Sequence, residues 1–584
     1  MRYKQLAEVF EQLSSTNSRL EKTAILASFL KVIADDEVEE TILLLEGRVF
    51  PEWDSRTVGI AAKLILKAIA NASGYDEREV TASFQNHGDL GLVAQELFSA
   101  KKQQTLFSSP LELNHVFKTL QKIASLEGNG SQDRKLAELG KLLTSADAVE
   151  AKFLVRTVLE DLRVGIAQGT LRDGLAYAFF TEGVIYSKKE NKLDYVVLPG
   201  YEINSVKEDI KRALDLTADF SVVMKHIKAG KDLDEIKLVV GTPARCMLAR
   251  KERSFADAFA RTGFPARLEY KYDGFRLQIH KDGNEVHLFT RRLENVTKQF
   301  PDVVSAVLEH VKAEKVILDS ETVGFDPGNG KYQPFQHISK RIRRKYDIEQ
   351  LVKELPVELN VFDILKLGDD VLLDEPFTSR LEKLQSVITD VERVIVLAKG
   401  IIVNDEESAQ SFYQESLDAG NEGVMIKNLS AGYEPGGRVS AWIKMKPVMD
   451  ELDLVIVGAE WGAGKRSAWM TSFTLACRSE DGSILEIGKV GTGMKELDND
   501  DPDAVTFSQL TALLEPLVQS RAGQEVIVKP DIVLSIAYEE IQKSPTYGSG
   551  YALRFPRVLA LRSDRNVDDI ASLEDVEEMY YGQR

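Results

Sequence analysis

The chain has 584 residues, 43% of them hydrophobic and 28% charged, with a formal net charge of −18. At ~150 residues per domain this length allows three or four domains with filled cores, and the acidic balance confines any nucleic-acid contact to local basic patches. Its two cysteines, Cys246 and Cys477, exclude four-cysteine and two-cysteine, two-histidine zinc sites and a disulfide framework; the N-terminus has no apolar targeting core and no apolar run reaches the ~18 residues of a membrane span, so a soluble cytoplasmic protein in a reducing compartment is expected.

Residues 1–235 read as an all-α region. Tyr3, Leu6, Ala7, Phe10 and Leu13 fall at helical spacing, as do Ala24, Leu26, Ala27, Leu30 and Ile33. Asp54-Ser55-Arg56 is placed to cap an apolar helix from Val58 to Ala70. Further helices are expected over Asp133–Leu143, Glu150–Leu162 and Thr170–Phe180. Gly88-Asp89-Leu90-Gly91 and Arg163-Val164-Gly165 sit at helix junctions, where exposed N-termini would bind phosphates; plain capping is the competing reading.

Residues 236–447 change to a mixed α+β pattern. Strands are expected over Arg267–His280, Glu285–Thr290, Lys315–Val323, Glu358–Ile364, Gly423–Lys427 and Ala441–Met445, with helices over Pro301–Val311 and Ser379–Val387. Residues 448–584 read as mostly β, a small barrel of the oligonucleotide-binding type. Gly462-Ala463-Gly464-Lys465-Arg466 lacks the spacing and the Ser/Thr of a P-loop and reads as a basic turn.

The chemistry centres on Glu269-Tyr270-Lys271-Tyr272-Asp273-Gly274-Phe275-Arg276. In a continuous strand Glu269, Lys271 and Asp273 share one face. A lysine there acts as a nucleophile if its neutral form is favoured by desolvation or nearby positive charge. Gly274 leaves room for a phosphate and Arg276 would hold it. Downstream, Arg291 and Arg292 end a strand, and Asp319 and Glu321 share a strand face. Glu422 opens another strand, and Lys444 and Lys446 alternate with apolar residues. Separated carboxylates suit Mg2+, and paired lysines suit a phosphate gaining charge. Phe362 reads either as a base-stacking ring or as core. The densest basic run, Lys340–Lys345, reads as a nucleic-acid contact or a solvated helix face; Lys543–Gly548 and Arg554–Arg557 are further basic stretches.

These stretches, in this order, resemble the covalent nucleotidyltransferase superfamily, whose K-x-D-G motif matches Lys271-Tyr272-Asp273-Gly274. The likeness is greatest to ATP-dependent DNA ligases of the archaeal and eukaryotic replicative type, and it covers nearly the whole chain. It implies a helical DNA-binding domain over 1–235, an adenylation domain over 236–447 and an OB-fold domain over 448–584. It also implies three transfers: Lys271 takes AMP from ATP, AMP passes to the 5′-phosphate of a nick, and the 3′-hydroxyl displaces it. By the same resemblance Glu269 recognises adenine, and Phe362 stacks on it. Arg276, Arg291 and Arg438 hold phosphates or ribose, Glu321 and Glu422 serve ribose and Mg2+ (or Mn2+), and Lys444 and Lys446 hold the α-phosphate. The final motif departs from the usual Asp-Lys: Asp564 is followed by Arg565.

The expected partner is nicked duplex DNA, in replication, repair and recombination, with the enzyme a monomer. Gln103, Leu106 and Phe107 form a truncated version of the peptide that docks on sliding clamps, an apolar anchor beside a directional hydrogen bond. RNA ligases and capping enzymes lack the long helical region, NAD-dependent ligases carry a cysteine cluster absent here, and a silent scaffold would not keep Lys271, Glu321, Glu422, Lys444 and Lys446.

Overall fold

The computed structural model describes residues 1–54, 56–102, 109–128, 130–252, 254–333, 335–342, 344, 347–447, 450–462, 466–496 and 505–582. The chain forms two compact units, Met1–Met445 and Lys446–Arg584.

The first unit opens with helices. Tyr3–Ser14 buries Tyr3, Leu6, Ala7, Val9, Phe10 and Leu13, the stripe its spacing demands. Aspartates cap several later helices: Asp76, Asp89, Asp147 and Asp219 accept from first-turn amides. The apolar helix expected from Val58 starts later and spans Ala62–Ser73 without a side-chain cap. Asp54 instead turns back onto Arg56, whose Nε lies 3.0 Å from Oδ1. An antiparallel hairpin, Thr181–Ser187 with Lys192–Val197, interrupts the helical region. Its outer face leaves Ile185 and Val196 exposed, so it lacks the apolar alternation that announces a half-buried strand.

Two sheets follow within the same unit. One runs Asp370–Val371, Val357–Leu367, Lys315–Phe325, Phe275–Asp282 and Glu285–Thr290. The other runs Gly400–Val403, Ala266–Tyr270, Val424–Asn428, Arg438–Met445 and Leu248–Glu252, with the last pair parallel. The expected single strand Arg267–His280 is therefore two strands in different sheets, joined across Lys271–Gly274. Gly274 is required at that crossing, because a Cβ there would lie 2.4 Å from the Thr322 carbonyl oxygen. Ile317, Leu365, Tyr433 and Trp442 belong to the same buried cluster as the helices, so the helical and sheet regions share a core.

The second unit is a curved antiparallel sheet, an OB-like half-barrel. Its long strand Asp450–Trp461 pairs along one half with Val533–Tyr538 and along the other with Glu525–Val528. A register shift between Ile456 and Gly458 bends it between the two. Among the described residues no helix is long and apolar enough to cross a membrane.

Candidate active site

Lys271 sits where the chain leaves one sheet for the other. Its N–H donates to the Gly423 carbonyl at 2.9 Å, and its own carbonyl accepts from Glu422 N–H at 2.8 Å. Gly423 has φ +126°, and a Cβ there would stand 2.1 Å from the Met445 carbonyl oxygen. Backbone pairing thus holds Glu422 beside Lys271, and Lys271 Nζ hydrogen-bonds the Glu422 carboxylate. This differs from the expected row of Glu269, Lys271 and Asp273. The strand ends at Tyr270, so alternation does not carry through; Asp273 instead accepts from Phe335 N–H at 3.4 Å.

Glu269 lies buried one strand-row away. It pairs with Lys427 at 2.5 Å and receives Arg267 Nε at 3.3 Å. Lys427, given no role from sequence, is enclosed by rings: its Nζ lies 4.7 Å from the centre of Phe362, 4.6 Å from Phe377 and 4.5 Å from Trp442. The signal was the cross-strand relation between the two stretches, which only pairing reveals. Phe362 is half-buried and meets Trp442 edge-to-face at 5.9 Å.

Arg276 is committed inside the protein. Nε donates to Asp319 Oδ1 at 2.8 Å, Nη1 to the Met247 carbonyl at 2.7 Å and Nη2 to Tyr433 OH at 3.0 Å. Tyr433 in turn donates to Asp319 Oδ2 at 2.8 Å. Asp319 is thereby occupied, while its strand neighbour Glu321 stays beside Lys271. Burial pushes the Glu321 carboxyl up to about 7; Lys271 and Arg276 oppose this, and Glu422 and Asp319 add to it. Among the described residues no group of three or more His, Cys, Asp or Glu is arranged to hold a metal ion.

Arg291 is exposed and lines a cavity of about 1110 Å³ with Arg276, Arg292, Glu46, Glu52 and Glu160. Arg438 is exposed at the start of its strand, and Lys444 lies near the end of the same strand. Lys446 falls beyond that strand and pairs with Glu539 at 3.4 Å inside the second unit. Gln103, Leu106 and Phe107 lie outside the described residues, as do Ala463, Gly464 and Lys465.

Two phosphate-binding readings give way, the first to the plain capping that competed with it. At Gly88–Gly91, Asp89 already fills the helix N-terminus, accepting from Gly91 and Leu92 N–H, and it is paired with buried Arg156 at 2.7 Å. A carboxylate there leaves no place for an anion. In the Lys340–Lys345 run, Arg341 is fully buried, pairs with Asp302 and donates to the Gln299 and Leu355 carbonyls at 3.1 Å each. It is a core anchor, and neither a DNA contact nor a solvated cation.

Comparison with known proteins matches three families in succession: DNA ligase N terminus over residues 2–176, ATP dependent DNA ligase domain over 246–446, and ATP dependent DNA ligase C terminal region over 466–565. The DNA ligase of Nanoarchaeum equitans is 45% identical over 100% of this chain and 99% of its own length. That of Thermococcus fumicolans is 39% identical over 99% of this chain and 98% of its own. Among solved structures, "Pmar-Lig_Pre" aligns with TM-score 0.53 at 17% identity, covering 96% of this chain and 99% of that one.

Proposed function

The chain belongs to the ATP-dependent DNA ligase family, and from that premise we propose that Lys271 is the residue that carries AMP. The family's activity is the ATP-driven sealing of nicked DNA, so the open question is which groups of this chain perform each step. The observation that carries the reading is the contact between Lys271 Nζ and the Glu422 carboxylate at the crossing of two sheets.

In the first step the neutral amine of Lys271 attacks the α-phosphorus of ATP. The bond from that phosphorus to the oxygen bridging toward the β-phosphate breaks, and pyrophosphate leaves with the electron pair. The proton shed as the phosphoramidate forms is released to solvent. An oxygen of the nick's 5′-phosphate then attacks the phosphorus of AMP, the N–P bond to Lys271 breaks and the amine regains a proton; finally the 3′-hydroxyl, shedding its proton, attacks the 5′-phosphate and AMP leaves.

Glu269 reads the adenine, its carboxylate paired with Lys427, and Phe362 stacks on the base. Arg276, fixed by Asp319 and Tyr433, orients the ribose or phosphates. Arg291 and Arg438 are exposed cations with the reach to meet phosphates. Lys444 and Lys446 counter the charge that builds on the α-phosphate.

Glu321 and Glu422 fit Mg2+ or Mn2+. A buried carboxyl pushed up to about 7 beside a second carboxylate is relieved by a divalent cation, and two protein oxygens suffice where phosphate oxygens and water complete the shell. Such an ion would supply charge neutralisation at the phosphates.

The division into 1–235, 236–447 and 448–584 follows these roles of DNA binding, adenylation and closure. We further assign Gln103, Leu106 and Phe107 to clamp docking, which would raise the local concentration at nicks, and treat the working enzyme as a nucleoid-associated monomer.

The test is incubation with α-labelled ATP and Mg2+. Covalent label that disappears in Lys271→Ala, with nick binding retained, is the expected result. Label persisting in the variant would overturn the nucleophile, and sealing of nicked RNA but not nicked DNA would overturn the substrate.

A further inference from the structure

The sheet that ends at Lys271 carries a row of paired residues out to its edge. Glu269, Met425, Lys444 and Lys251 are cross-strand partners in turn. Paired residues project from one face, so Lys251 shares the face of Glu269 and Lys444. With strands ~4.8 Å apart, three spacings put Lys251 roughly 14 Å from Glu269, the scale of an extended nucleoside triphosphate.

Lys251 and Lys444 line a cavity of about 490 Å³ together with Ala249, Arg250, Glu252 and Arg438. Four of these six side chains are cations. The one carboxylate, Glu252, is held by Arg261 at 2.6 Å. Arg250 Nε donates to the Arg438 carbonyl at 3.3 Å, and no ion pair among the described residues engages Lys251 or Arg438. Cations crowded around an open cavity repel one another, and a polyanion relieves that repulsion.

We propose that Lys251 joins Arg438 in holding the β- and γ-phosphates of ATP before transfer and pyrophosphate after it, beside Lys444 on the α-phosphate. This rests on the reading that Lys271 is the nucleophile. As the bond from the α-phosphorus breaks, negative charge grows on the oxygen leaving with the β-phosphate. A cation fixed on the nucleotide-facing side of the edge strand stabilises that charge where it develops. The register row, which starts at the adenine contact, favours the triphosphate over a DNA strand as the occupant.

The experiment compares full-length wild type, Lys251→Ala and Lys251→Arg, each with its fold checked by circular dichroism. Four readouts are taken: the KM for ATP in self-adenylation, the half-saturating pyrophosphate that strips AMP from the adenylated enzyme, sealing of nicks already carrying AMP, and nick affinity as a function of salt. Sealing of those nicks involves no pyrophosphate and serves as the reference reaction. Loss of one charge-assisted contact predicts that Lys251→Ala raises both the ATP KM and the half-saturating pyrophosphate by about tenfold. Lys251→Arg should recover most of both. The proposal is overturned if the ATP and pyrophosphate constants stay unchanged. It is equally overturned if nick affinity falls and its salt slope drops by about one, which would make Lys251 a DNA-backbone contact. Failure of wild type to form any adduct would instead sink the assignment of Lys271, a result readable before the variants are compared.

Discussion

Lys427 and Glu269 form an ion pair almost entirely withdrawn from water, their side chains 1% and 3% exposed and Nζ 2.5 Å from Oε2. Lys427 Nζ also donates to the Phe362 carbonyl at 3.2 Å. The pair thus ties the residue assigned to adenine recognition to the backbone of the ring assigned to stack on it.

Breaking this pair from one side strands a buried charge. Lys427→Met is expected to lower stability of the first unit by about 3–5 kcal/mol. Adding Glu269→Gln should return part of that loss, because the orphaned carboxylate is removed. Urea unfolding followed by tryptophan fluorescence measures both, and Trp442 reports locally because it touches Lys427. Equal instability of the single and double variants would mean that packing, and not charge, holds the site.

Gly274 gives a second expectation. A Cβ at 274 meets the Thr322 carbonyl at 2.4 Å and its carbon at 3.0 Å, both backbone atoms that cannot swing aside. Gly274→Ala must therefore move the Lys271–Gly274 crossing off the neighbouring strand. A shift of ~1 Å at a reacting group costs on the order of 100-fold in rate. Single-turnover labelling with ATP should slow by that order, while the affinity of the full chain for nicked DNA is retained.

The elements that were legible from sequence share one property: their signal is local. Helical stripes such as Tyr3 to Leu13, and strands such as Glu285–Thr290, follow from periodicity alone. What stayed hidden depends on pairing between distant stretches. The break at Lys271 looks like continued alternation in sequence, because nothing local says that the chain changes sheets. Glu422 was recognised as a strand-opening carboxylate, yet its place against Lys271 comes from hydrogen bonds across 151 residues. Arg341 read as surface because cationic runs usually are, whereas its burial depends on Asp302 and two distant carbonyls. Gly274 was read as room for a phosphate, and the nearer constraint is the Thr322 backbone.

A pH dependence follows from His280. The ring is fully buried, its Nδ1 accepts from Gly241 N–H at 3.0 Å, and Nε2 faces Gln278 Oε1 at 2.9 Å. Burial, aided by His287, pulls its pKa from 6.5 down to about 3. The folded protein therefore refuses a proton that the unfolded chain accepts between those values. Stability is full above about pH 6.5 and falls as pH drops toward 3, with a slope approaching about 1.4 kcal/mol per pH unit for this one group. His280→Asn retains an acceptor near Nδ1 and cannot be protonated. Between pH 6 and 5 the difference in unfolding free energy between wild type and variant should narrow by about one proton's worth per unit. A constant difference across that range would show that His280 does not carry the linkage.

The last expectation concerns the half-barrel unit. Its hydrophobic clusters run from Leu452 to Tyr580 and include no residue of the first unit. The clusters of the first unit likewise close without it. Truncation after Pro447 should therefore leave Met1–Met445 folded, with the Lys271–Glu422 contact in place. What it removes is the final motif, Arg554 to Arg565, and Glu539, the partner of Lys446. The ligase resemblance implies that this domain swings in to help expel pyrophosphate, a hinge motion between domains. The truncated chain should then lose self-adenylation by at least about tenfold more than it loses sealing of nicks already carrying AMP, normalised to DNA bound. Label incorporation from α-labelled ATP and single-turnover sealing measure the two rates. If the truncated chain labels itself at the wild-type rate, the first step needs nothing beyond Pro447, and the lysines retained there expel pyrophosphate unaided.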